Sequence, residues 1–126
     1  MGRGGARGSQ LGQWFSGGPA RLWVPGAVER LVHQPVGCRV LLAGYPAVVD
    51  QLRRAALSIP LNIAEAAGRT GPADAARAYA IARGSAMECA AVLDALLVLK
   101  LLGQQDHQRG CDLLSRIVAM LTKLCR

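Results

Sequence analysis

A chain of 126 residues is long enough to close one hydrophobic core and too short for two. Hydrophobic residues make up 52% of it but aromatics only 4%, which excludes a core built on large rings and leaves Leu, Ala, Val and Ile, a composition suited to close-packed helices. The formal charge of +7, carried almost wholly by arginine, argues against a cationic partner and suits phosphate or carboxylate, which the planar guanidinium bonds bidentately.

The first segment, residues 1–23, contains Gly2, Gly4, Gly5, Gly8, Gly12, Gly17 and Gly18 without apolar periodicity, and reads as a flexible Gly/Arg-rich arm. Arg3 and Arg7 are followed by glycines where a secretory signal needs an apolar run, so a cytoplasmic location is expected. Residues 24–126 read as one all-α domain, an antiparallel up-and-down four-helix bundle. Its first helix carries Val28, Leu31, Val32, Val36 and Val40 at helical spacing, interrupted by Pro35 and Gly37.

The second helix is predicted from Pro46 to about Ala67. Val48, Leu52, Ala55, Ile59, Ile63 and Ala66 form its apolar stripe, Pro60 introduces a bend and Gly68 terminates it. Gly71-Pro72 opens the third, because proline at the first helical position gives up only an N–H that would have no helical partner. Nothing stops that helix before Gly103. Its core stripe is Ala75, Ala78, Tyr79, Ala82, Ala86, Cys89, Val92, Leu93 and Leu96. A second apolar seam of Ala80, Gly84, Met87, Ala91, Ala95, Val98 and Leu102 lies opposite. A monomer has no use for this seam, so another copy of the chain is the expected partner. The fourth helix, about Gln108 to Leu124, turns Leu114, Ile117, Val118, Leu121 and Leu124 inward and pairs Asp112 with Arg116.

The chain shows no G-x-S-x-G elbow and no phosphate-cradling loop, so no enzyme and no cofactor are expected. The cysteines Cys38, Cys89, Cys111 and Cys125 have no C-x-x-C spacing and read as reduced core thiols. His107 and Cys111 stand four apart on a helix, but no second ligand pair accompanies them, so no metal site is expected. Gln51, Arg54, Ser58, Asn62, Glu65 and Arg69 share one polar stripe, either a strip binding phosphate or a network fixing helix register. Arg53, Arg54, Arg69, Arg77 and Arg83 are the candidate nucleic-acid contacts. The one aromatic residue between them, Tyr79, falls on the core stripe, which argues against base stacking.

The stretch DQLRRAALSIPLNIAEAAGR, residues 50–69, resembles the four-helix bundle family named for proteins encoded in intervening sequences of 23S rRNA genes. Gln51, Leu52, Arg53, Arg54, Ala55, Ser58, Ile59, Asn62, Ile63, Ala64 and Glu65 fit its signature, and Ala66 stands where the family usually has Gly. The resemblance continues through Ala82, Gly84, Ser85 and Glu88 and through LLSRIVAMLTKL, whereas the region before Tyr45 departs from it. It implies an antiparallel bundle assembled as a homo-oligomer, a pentamer, without enzymatic activity. Relatives associated with diversity-generating reverse transcriptases further imply contact with RNA or single-stranded DNA and with such a polymerase. Two functions follow: a basic nucleic-acid-associated accessory protein, or a structural or protein-interaction scaffold.

Overall fold

The computed structural model describes residues 44–126, and among these every element is helical: α1 (Pro46–Gly68), α2 (Pro72–Val98) and α3 (Gln104–Leu124). The arm expected over residues 1–23 and the helix expected next to it lie outside the described residues, and the three remaining expected helices are all present among those described.

α1 begins where Pro46 occupies the first turn, with the Tyr45 carbonyl accepting from the amides of Val48 and Val49. It runs unbroken through Pro60 to Gly68, and Arg69 then turns to extended backbone. The helix ends at Gly68 as expected, although the backbone there is not left-handed. α2 starts at Pro72 with Asp74 in its first turn, where a carboxylate favours the positive end of the helix dipole.

The end of α2 departs from expectation. Lys100, with φ 58°, takes a left-handed conformation and ends the helix ahead of Gly103, the expected stop. The Leu101 amide bonds the Leu96 carbonyl at 2.9 Å and the Lys100 amide bonds that of Leu97 at 3.0 Å, the two bonds of a Schellman turn. Leu101 folds back into the core with Leu96, supplying the apolar contact that commonly accompanies this turn. Gly103 instead caps the next helix, its carbonyl accepting from the His107 amide at 3.0 Å, so α3 begins at Gln104.

α2 packs against both α1 and α3. Gln51 meets Glu88 while Ser58 meets Ser85, so α1 and α2 run antiparallel. Leu93 lies against Gly110 while Asp94 meets His107, which gives the same sense to α2 and α3. The shared core draws Leu52, Ala55, Ala56 and Ile59 from α1, Ala82, Ala86, Cys89, Leu93 and Leu96 from α2, and Leu114, Ile117 and Leu121 from α3. Ile59, Leu93 and Leu121 are fully buried, and each contributes about 1.5–3 kcal/mol of transfer free energy. The expected stripes hold these positions, but Ala56, Leu101 and Leu102 were not among them. No described helix is long and apolar enough to cross a membrane.

Candidate functional site

The polar stripe of α1 faces α2 and is partly spent there. Ser58 and Ser85 share a hydrogen bond of 2.8 Å between their hydroxyls, and the Asn62 amide donates to the Ser58 carbonyl at 2.7 Å and to its hydroxyl at 3.1 Å. Two turns earlier on α1 the Gln51 amide donates to Glu88. All three of Gln51, Ser58 and Asn62 are half-buried, where a polar group left without a partner costs roughly 1–3 kcal/mol. The bonds from Gln51 and Ser58 therefore hold α1 and α2 in one register.

At the edges of this seam the arginines meet acids. Arg54 pairs with Asp50 at 3.4 Å and donates to Gln51 at 2.9 Å, and Arg69 pairs with Glu65, which raises the Arg69 pKa. Arg53, Arg77 and Arg83 make no ion pair among the described residues. At about 100° per residue, Arg53 points about 100° away from Arg54, and Arg77 and Arg83 diverge by about 120° around α2. The five candidate arginines are thus spread over several sides of one chain. Residues 44–126 hold ten basic and seven acidic side chains, a net +3, so more than half of the +7 resides in residues 1–43.

The outer face of α2 is apolar. Met87 is 57% exposed and Val98 80% exposed, and Gly84 before them and Ala91 and Ala95 between them are exposed as well. Ala80, at the start of this seam, is half-buried. Leu102 leaves the seam altogether: α2 ends before it, and the turn at Lys100 sends it into the core. Ile81 and Leu99 are exposed on the flank of the same face, and Leu57 and Leu61 are exposed on α1.

At the α2–α3 corner, Asp94, His107 and Cys111 converge, with one ligand atom from each lying within 4.8 Å of the others. Sequence spacing exposed the His107/Cys111 pair but not Asp94, which arrives from α2 across the turn. Cys111 forms no disulfide among the described residues, and burial together with Asp94 and Asp112 raises its thiol pKa. Cys89 is buried in the core, and burial, with Glu88 adding to it, pushes its thiol up to about 11. Both thiols are held protonated at neutral pH, unlike a reactive cysteine. The pair expected between Asp112 and Arg116 does not form; Gln108 donates to Asp112 instead, at 2.9 Å.

A family model described as 23S rRNA-intervening sequence protein matches residues 46–123, which takes in all three helices. The chain belongs to that family. The matched span coincides with the helices that share the core and with the Gln51–Glu88 and Ser58–Ser85 contacts. Neither the curated proteins nor the solved structures contain a significant match to the chain.

Proposed function

We propose that this member of the 23S rRNA-intervening sequence protein family is a non-enzymatic, self-associating helical protein of the cytoplasm whose assembled form engages RNA or single-stranded DNA. The outer face of α2 carries this reading: Met87, Ala91, Ala95 and Val98 leave an apolar strip in water on a helix already packed on two neighbours. The small residues allow the close approach of a second helix, and the resemblance noted above supports a ring of five copies. Repetition around a ring multiplies Arg53, Arg77 and Arg83, which one chain displays too sparsely to hold a polyanion. The same resemblance supports a reverse transcriptase as protein partner.

Light scattering of the parent protein yields a multimer, and Ala91→Arg, which sets a charged chain on the strip while leaving the core intact, yields a smaller species of unchanged helicity. A monomeric parent at high concentration refutes the assembly. Fluorescence anisotropy with labelled oligonucleotides shows affinity falling steeply as salt rises, because each neutralised phosphate releases counterions. Changing Arg53, Arg77 and Arg83 to Gln lowers affinity for all sequences alike and flattens that slope. The scaffold without nucleic acid is favoured by one observation, the engagement of Arg54 and Arg69 by Asp50 and Glu65. An intact multimer that binds no oligonucleotide at low salt decides for it.

A further inference from the structure

The corner between α2 and α3 gathers a carboxylate, an imidazole and a thiol on one point. The His107 Nε2 atom lies 2.6 Å from Asp94 Oδ1 and 3.4 Å from Cys111 Sγ. That nitrogen offers either one hydrogen or one lone pair, never both. As a donor it satisfies Asp94 and cannot also accept from the Cys111 thiol. As an acceptor it takes the thiol proton and turns its lone pair on a carboxylate oxygen at 2.6 Å. No single tautomer bonds both neighbours through this nitrogen, whereas a cation can take a lone pair from each of the three groups.

We propose that Asp94, His107 and Cys111 bind one zinc ion. Zinc bonds imidazole nitrogen and carboxylate oxygen at about 2.0–2.2 Å and thiolate sulfur at about 2.3 Å, so tetrahedral ligands stand about 3.5 Å apart. The nitrogen and sulfur are already at 3.4 Å. Asp94 must withdraw by somewhat less than 1 Å, and its side chain, 67% exposed on the outside of α2, is free to do so. His107 and Cys111 sit four apart on one face of α3, and the helix holds them in place. The mixed nitrogen, oxygen and sulfur set suits zinc better than magnesium or calcium, which take oxygen ligands.

On binding, the Cys111 thiol gives its proton to solvent, and the thiolate, the carboxylate and the neutral imidazole together supply two negative charges and three lone pairs. Water takes the fourth position. One feature weakens the site: His107 Nδ1 is buried and has no hydrogen-bond partner among the described residues, and it must carry the proton once zinc occupies Nε2. Outer partners of this kind are worth roughly 10- to 100-fold in affinity, so binding is weaker by about that factor than at a site where the imidazole has one. The ion acts as a clasp, joining the last turns of α2 to the first turns of α3.

Cobalt titration of the reduced, chelator-treated full chain tests this assignment, since thiolate bound to cobalt gives a charge-transfer band that nitrogen and oxygen ligands alone do not. The expected result is one equivalent per chain, a tetrahedral visible spectrum, displacement by zinc but not by magnesium, and a rise in melting temperature with zinc. Cys111→Ser abolishes the charge-transfer band and Cys125→Ser leaves it unchanged. Asp94→Asn, at an exposed position where folding is not at stake, weakens binding tenfold or more without altering circular dichroism. The assignment is overturned by the absence of the band in the parent chain, by a band that survives Cys111→Ser, or by equal affinity in Asp94→Asn.

Discussion

Gly110 on α3 is packed against Leu93 of α2, and a β-carbon added there would stand 2.6 Å from Leu93 Cδ1 and 3.9 Å from its Cγ. Leu93 is 1% exposed, so its terminal methyl has nowhere open to go. Gly110→Ala gains about 1 kcal/mol in helix propensity. Against this stands overpacking of a full core, which costs typically about 1–3 kcal/mol. The expected balance is a loss of up to about 2 kcal/mol, and each kcal/mol moves the melting temperature of a small domain by about 4–8 °C. Gly84→Ala is the control, because a β-carbon at that position meets nothing within 4 Å. It is expected to gain about 0.5–1 kcal/mol when measured at concentrations too low for assembly. Leu93→Val removes the methyl that clashes, so in that background Gly110→Ala becomes neutral or favourable, and the double-mutant cycle isolates the contact. Thermal and urea melts followed by circular dichroism read all four variants. Equal stabilisation by Gly110→Ala and Gly84→Ala would refute the close approach of α2 and α3.

Two further outcomes follow from local features. Lys100→Gly relieves a left-handed residue that carries a β-carbon, and is expected to raise stability by about 1 kcal/mol in the same melts, whereas Gly103→Ala, at an ordinary backbone position, does not. Cys89 has its thiol pKa raised from 9.0 to about 11, so the native state holds this proton more tightly than the unfolded chain. Its contribution is complete below about pH 9 and is lost as pH rises from about 9 through 11, because there the unfolded state alone releases the proton. Urea midpoints across that range fall more steeply for the parent than for Cys89→Ala.

Much of the described architecture could be read from spacing. Pro46 and Pro72 marked two helix starts to the residue, because proline at the first turn is both sterically suited and free of a donor to waste. The α2 core positions followed from periodicity, since Ala78, Ala82, Ala86, Cys89, Leu93 and Leu96 fall on one stripe. The end of α2 could not be read, because Lys100 is a poor sequence signal for a left-handed turn and Gly103 a good one. That error shortened α3 by a turn, assigned Leu102 to the outer seam, and hid the role of Leu101 and Leu102 in closing the core. Of the polar stripe, membership was visible from the wheel. Its partners Ser85 and Glu88 were not, because a helical wheel holds no information on which neighbour lies opposite. Asp94 was hidden for the same reason: it meets His107 only because two helices cross at the corner.

The position of α2 between its two neighbours bears on how the chain finds its fold. The contacts of α1 with α2 and of α2 with α3 join consecutive elements across short turns, so each can form while only a small loop is closed. Loop closure of that size carries little entropic penalty, and a topology dominated by such local contacts folds on the microsecond to millisecond scale. Either hairpin can form first, but both need α2. Substitutions in the middle of α2 are therefore expected to slow folding, whereas those near the ends of α1 and α3 mainly speed unfolding, a division that chevron analysis resolves.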